Sequence, residues 1–392
     1  MISNITHRTI FMALLYRSMG VALLCSTAAH TASAQSGSTV TSSGNSASIN
    51  YNSRVLAQGL SHPWSLAFLP DGSMLITERP GRLRRLSQGK LSEPITGVPA
   101  VLAKSQGGLF DVVLHPDYDV NGWIYLSLAH GHASANATRL VRARLDGDQL
   151  VETETLFTAT PLKDTTVHYG ARFSFLPDHT LVLSVGDGFD FREQAQALDN
   201  HLGKFIRIRD DGSIPEDNPF TDNPDALSEI YSYGHRNQQA IVYDHKRQAL
   251  WAHEHGPAGG DEVNKLIAGT NYGWPLATMG RDYSGAAISP YQELPGMASP
   301  QWDWTPSIAP GGMTIIAGEQ FSHWQGDLLV AALKSRDVRR MRIEKGRMRE
   351  VETLFSEFGA RIRDIREAPD GSLYLLTDDS VNGKVIQIEP IP

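Results

Sequence analysis

The chain of 392 residues carries 35 basic and 43 acidic side chains, for a formal net charge of −8. It has no polybasic run and no basic domain, which argues against nucleic acid or anionic lipid as a partner. Its 41% hydrophobic residues are ample for a packed core, and the single cysteine, Cys25, leaves no basis for disulfides or cysteine-ligated zinc.

The first 34 residues stand apart. Arg8 precedes the apolar stretch FMALLY, Arg17 interrupts it, and MGVALLCSTAA follows. Ala32-Ser33-Ala34 before Gln35 is a small-residue pattern that suits signal peptidase. Residues 1–34 are therefore expected to be a signal peptide, with a buried N-terminal helix as the alternative. A lipid anchor at Cys25 is disfavoured by Leu24. Residues 35–50 are almost all Ser, Thr, Gly and Ala, the composition of a flexible leader. A periplasmic or secreted protein follows, with no transmembrane anchor after cleavage.

From residue 51 a repeat recurs to the C-terminus. FLPDGSMLITE begins at Phe68, LHPDYDVNGWIYLSL at Leu114, FLPDHTLVLSVGD at Phe175 and APDGSLYLLTD at Ala368. Degenerate copies, VYDHKRQALWAHE from Val242 and FSHWQGDLLVAAL from Phe321, fill the gaps. Each joins a tight turn to a strand of alternating apolar residues. Proline presets φ for the turn, Gly or Asn accepts positive φ, and period-two alternation makes a half-buried strand. The anchors Pro70, Pro116, Pro177, Asp244, Trp324 and Pro369 lie 46, 61, 67, 80 and 45 residues apart. Six copies at that spacing predict an all-β six-bladed β-propeller of four-stranded antiparallel blades. One domain over 51–392 is expected, since no linker interrupts the repeats. Residues 54–58 and 384–389 alternate and could pair within the last blade. A short helix is expected only around 193–202.

Five stretches carry polar residues that a propeller core does not need: SQGGLFD (105–111), HYGARF (168–173), YGHRNQQ (233–239), HGPAGGDEVNKLIAGTNYGWP (255–275) and ARIRDIR (360–366). Each falls beside a repeat anchor, so a closed ring can bring them together. The cluster HEHGPAGGDEVN at 253–264 looks like a metal site. His253 and His255 are two residues apart and could face one ion, although the common zinc spacings are absent.

QGGLFDVVLHPD, GHRNQQA, HGPAGGDEVN with GTNYGWP, and RIRDIREAPDGSLYLLTD together resemble the soluble quinoprotein sugar dehydrogenases, nearer to their aldose dehydrogenase branch. Those are periplasmic or secreted six-bladed propellers that use pyrroloquinoline quinone (PQQ) and calcium. The resemblance implies oxidation of an aldose at C1, with an electron acceptor, quinone or cytochrome, that the sequence does not identify. It implies His168, in HYGAR, as the base, although a lone histidine more often plays a structural part. An aspartate that precedes this histidine in soluble glucose dehydrogenase is Val167 here, so an orienting carboxylate must come from elsewhere, with Asp164 near in sequence. Gln106 occupies a position beside base and cofactor, or else is a turn residue before Gly107-Gly108. Cofactor contacts fall on Arg236, Asn237, Tyr283, Lys334, Arg361, Arg363 and the backbone of Gly311, Gly312 and Met313. Arg361 and Arg363 alternate on a strand and so point the same way, which suits two carboxylates. They could instead form a solvated face or pair with Asp364 and Glu367. The resemblance implies carbonyls of Gly256 and Pro257 for one calcium, and Glu262 with the Tyr272 carbonyl for a second, consistent with calcium's preference for oxygen ligands. Competing expectations are a calcium-dependent lactonase-type hydrolase, which would need a carboxylate-rich channel, and a non-catalytic sugar- or protein-binding propeller.

Overall fold

The computed structural model describes residues 41–46 and 49–391, all within one compact unit. The expected signal peptide lies outside the described residues. Six antiparallel sheets run in chain order, and we number the blades accordingly: blade 1 spans residues 63–91, blade 2 109–158, blade 3 170–233, blade 4 238–304, blade 5 310–354, and blade 6 362–390 with the N-terminal strand. The first strands of successive blades touch one another, and that of blade 6 touches that of blade 1. The ring is therefore closed, as a six-bladed β-propeller.

Each repeat turn links the first strand of its blade to the second. In blade 1, Pro63–Phe68 passes through Pro70-Asp71-Gly72 to Met74–Glu78. Asp71 takes the Ser73 amide and hydroxyl, and Gly72 supplies φ of 79°. Closure is also as expected. Asn50–Leu60 pairs antiparallel with Gly383–Pro390, setting Arg54 opposite Gln387 and Val55 opposite Ile386. Blade 6 thus takes one strand from the N-terminal end of the ring. A fifth strand, Thr41–Asn45, extends that sheet, so this part of the expected flexible leader is paired. The helix expected around 193–202 is a 3-10 turn, Arg192–Gln196, in which only Ala195 is buried.

Apolar clusters fill the gaps between blades. Leu75, Leu83, Val112 and Leu126 pack blade 1 on blade 2, and Met313, Val330, Trp251 and Val263 pack blade 4 on blade 5. Each such side chain stabilises the fold by roughly 1.5–3 kcal/mol. The centre of the ring is polar. Arg172 of blade 3 meets Asp111 of blade 2 at 3.1 Å and Asp364 of the opposite blade 6 at 3.2 Å. Arg366 meets the same two carboxylates at 3.2 and 2.9 Å. Two cations balance two anions, and contacts between opposite blades must cross the channel.

Candidate active site

Arg172 also stacks on Trp64, 3.9 Å from its ring centroid, and Trp64 forms part of the wall of a cavity of about 510 Å³. Every blade or the loop entering it contributes: Trp64, Gln106, Tyr169, Asn237, Leu333 and Arg363 in chain order. The repeat turns lie at the other end of the first strands, so the segments singled out for polar residues converge here.

His168 lies just before the first strand of blade 3, with φ of 49°. Its amide donates to Gln106 Oε1 at 2.8 Å, which fixes the residue in this sparsely populated backbone region. The ring is 5% exposed, and its Nδ1 lies 2.7 Å from Asp187 Oδ1. Asp187 is wholly buried. It also accepts the Phe189 amide at 2.9 Å and the Trp274 indole N–H at 2.8 Å. Burial alone would raise its carboxyl, but His168 and Arg236 hold it below the usual carboxylate range. Burial pushes His168 below the ordinary histidine value despite Asp187, and Arg236 and Lys163 add to that push. The ring is thus neutral at pH 7, with its proton on Nδ1 facing the carboxylate and a lone pair on Nε2. The orienting carboxylate is Asp187, not Asp164, whose side chain is exposed.

Arg361 and Arg363 both line the cavity, as their alternation requires. Their carboxylate partner is Asp378, at 3.1 and 3.8 Å, rather than Asp364 or Glu367. Burial lowers Arg363 to about 10. Asp378 is lowered to about 2, its burial outweighed by Arg363 and His62. Arg79 is a third guanidinium at the wall, which Asp378 and Asp379 also line. Lys334, expected to supply that further charge, is exposed, and its neighbour Leu333 lines the wall. Asn237 lines the cavity. Arg236 instead donates to the His255 and Gly256 carbonyls at 3.0 and 2.7 Å.

Gly311 and Gly312 run against blade 6. A Cβ on Gly311 would come within 2.6 Å of the Arg363 carbonyl, and one on Gly312 would overlap Asp364. Only glycine lets the strands approach so closely. Met313 is buried between blades 4 and 5. Tyr283 is 65% exposed and stacks on Phe189 at 6.4 Å. Phe189 in turn meets the His168 ring edge-on at 5.1 Å.

The two histidines of the HEHG segment do not face one ion. His255 lines the cavity and bonds the Pro310 carbonyl through Nε2 at 2.7 Å, while His253 is wholly buried with neither ring nitrogen bonded. Beside them a second, narrow chamber is lined by Glu254, Gly256, Glu262, Tyr272 and Trp274, with Pro257 buried next to Gly256. Burial, with Glu254 alongside, pushes Glu262 up to about 8. Two carboxylates so placed suit a cation.

Sequence reasoning missed Asp187, Trp274, Arg79 and Asp378. Asp187 alone has a local signal, the polar GDG that ends the blade 3 repeat. Among the described residues no helix is long and apolar enough to cross a membrane.

The aldose sugar dehydrogenase YliI of Escherichia coli is 42% identical over 346 residues, covering 86% of this chain and 93% of that protein. The crystal structure of the soluble aldose sugar dehydrogenase of Escherichia coli in its apo form superposes with a TM-score of 0.84 at 41% identity, over 87% of this chain and all of the other. The PQQ-bound aldose sugar dehydrogenase of Streptomyces coelicolor superposes with a TM-score of 0.69 at 29% identity, over 86% and 97% of the two chains. With the family model for glucose and sorbosone dehydrogenases matching residues 60–387, the chain belongs to the glucose/sorbosone dehydrogenase family of oxidoreductases.

Proposed function

We propose that the protein oxidises aldose sugars at C1 to the lactone, with PQQ and calcium as cofactors and His168 as general base. The observation that carries this reading is the His168–Asp187 pair, bonded through the His168 amide to Gln106 and followed by Tyr169, both of which line the cationic cavity. PQQ has three carboxylates, and the cavity offers Arg79, Arg361 and Arg363 with the amides of Gln106 and Asn237. That donor set fits the cofactor. Bound there, PQQ would supply a quinone able to take up two electrons, and calcium would polarise it. The Gly256 and Pro257 carbonyls are the proposed ligands of that calcium. Gly256 spends one lone pair on Arg236 and retains another. Glu262 and the Tyr272 carbonyl are proposed for a second ion, at the chamber where Glu254 crowds Glu262.

The chain's own part is to orient and deprotonate. Gln106 fixes the backbone of His168, Asp187 fixes its tautomer, and Nε2 accepts the proton of the sugar's anomeric hydroxyl as the C1 hydrogen departs with its electron pair. Loss of both leaves the lactone carbonyl. A positioned base of this kind contributes about 10²–10⁴-fold. A lactonase of that kind would need a carboxylate-rich cavity, whereas here Asp378 is taken up by Arg361 and Arg363. We further propose export through residues 1–34 and electron transfer to a quinone or cytochrome.

The test is reconstitution. Purified protein stripped with chelator should be inactive towards aldoses with a dye acceptor, and PQQ with calcium should restore activity. Activity that survives chelation in a PQQ-free preparation would falsify the reading.

A further inference from the structure

Asp187 is held from a direction unrelated to its own blade. Its Oδ2 accepts the Nε1–H of Trp274 at 2.8 Å, across a buried contact. Trp274 belongs to the long stretch between the third and fourth strands of blade 4, 87 residues from Asp187 in sequence. That stretch is fastened where Trp274 leaves it. The Trp274 amide donates to the Gly234 carbonyl at 2.9 Å, and its carbonyl accepts Gln196 Nε2 at 2.7 Å. Gln196 and Asn271 bond each other through both amide groups, and Arg236 stands over the indole at 5.3 Å. The ring is 7% exposed. A buried indole N–H needs a partner, and here it has the very carboxylate that orients the histidine.

We infer that Trp274 is a positioning residue for the base: its indole N–H fixes the carboxylate plane of Asp187 and withdraws part of its charge, so that Asp187 aims His168 without over-stabilising the imidazolium. The inference rests on His168 being the base. Two of the three bonds to Asp187, from His168 and the Phe189 amide, fall on Oδ1. Among the described residues Trp274 is the only side chain bonded to Oδ2, so without it the carboxylate can rotate about its last torsion. The charged groups around the His168 ring are Asp187, Arg236 and Lys163. Among the described residues neither side-chain cation bonds the Asp187 carboxylate, so neither can take over the role of the indole. A donor to a carboxylate competes for its charge, and small misplacements of a catalytic group cost up to ~10²-fold.

Trp274→Phe removes the donor and keeps most of the ring. In the PQQ- and calcium-loaded enzyme we expect kcat to fall about ten- to a hundredfold, with KM for the aldose and affinity for PQQ little changed. The acidic limb of kcat should also move to higher pH, because Asp187 then concentrates its charge on His168. Trp304→Phe is the control. Trp304 is equally buried and its indole bonds a carboxylate, Glu350 at 2.7 Å, far from the base in sequence and on the outer strand of blade 4. It should lose thermal stability without moving the acidic limb. A folded, cofactor-loaded Trp274→Phe enzyme whose acidic limb is unmoved or lowered overturns the inference, whatever its kcat. A matching shift in Trp304→Phe overturns it too. His168→Gln with near wild-type turnover would instead overturn the underlying assignment of the base.

Discussion

In blade 3, His168 pairs through Nδ1 with a carboxylate nineteen residues on, at the end of the second strand. In blade 4, His235 pairs through Nδ1 with Glu254, also nineteen residues on, at 2.9 Å. Both histidines precede the first strand of their blade, and both are buried. They are repeat-equivalent, and they differ at the other ring nitrogen. His235 Nε2 is bonded to Ser232 Oγ at 3.0 Å, and the ring is sandwiched between Phe205 and Tyr272. Among the described residues His168 Nε2 has no hydrogen-bond partner, and Gln106, which takes the His168 amide, and Tyr169 line the cavity. One pair is a closed structural joint. In the other, no side chain among the described residues occupies the second ring nitrogen. Glu254 is meanwhile turned to another use, since it lines the acidic chamber beside Glu262. The peptide of Arg236 ties the two pairs together: its N–H bonds Glu254, and its carbonyl accepts the Asp187 amide.

The sharpest way to break this contrast is to remove each histidine. His168→Gln should lower kcat by ~10²–10⁴-fold while PQQ affinity and thermal midpoint stay close to wild type. The wild-type rate should also fall at acid pH. His168 is depressed by burial in the folded protein, so it is neutral at pH 7, and its acidic limb should lie below the ordinary histidine pKa of ~6.5. The sign for stability agrees. A histidine depressed on folding contributes stability above its unfolded pKa, and that contribution is lost as the pH falls through the folded one. A rate profile whose acidic limb lies above pH 7 contradicts this assignment.

Next in size is Arg363→Ala, which tests whether the blade 3 pair owes its role to the cationic wall. It should weaken PQQ binding by about 1.5–3 kcal/mol, the range for hydrogen bonds to charged groups. Arg366→Ala separates cavity from plug. Arg366 bonds Asp364 and Asp111 at the centre of the ring and lies outside the cavity wall. Its loss should lower the thermal midpoint more than PQQ affinity. Titration of PQQ into both apo variants, with melting curves, decides it; equal affinities would mean that the wall has been misassigned.

The ring was legible from the sequence because each blade repeats a local rule, a Pro-Asp-Gly turn or a polar substitute feeding an alternating strand. Its closure was legible because residues 54–58 and 384–389 show the same alternation. That Gln106, Asn237, Arg361 and Arg363 come together around one cavity was legible only through motifs in a known order. Asp187, Trp274, Arg79 and Asp378 were not, since their partners come from other strands or blades and no local pattern encodes such contacts. Lys334 shows the converse. A lysine beside a repeat suggested a cavity cation, but in the bend that follows the second strand of blade 5 Leu333 lines the cavity and Lys334 is exposed. The segment around 193–202 lacked a face to bury, and it made one 3-10 turn instead of a helix.

His235→Gln should behave unlike His168→Gln. The substitution breaks a buried joint with a partner on each nitrogen, so stability should fall by about 1–3 kcal/mol, with kcat per folded, loaded molecule within a few fold of wild type. The smallest expected effect, and the finest test, is Ser232→Ala. It removes the hydroxyl that occupies His235 Nε2 and leaves the bond to Glu254 in place, so the blade 4 pair comes to match the blade 3 pair in its hydrogen bonding. The lost bond should cost about 1 kcal/mol, within the net range for a neutral hydrogen bond. No activity should appear in the His168→Gln background, because His235 is fully buried between Phe205 and Tyr272 and does not border the cavity. A melting curve and a turnover assay on the double variant decide it. Recovery of turnover in that variant would mean that a free Nε2 suffices. Its absence assigns the difference between the two pairs to access, which depends on the loops at the mouth of the ring and not on the pairs themselves.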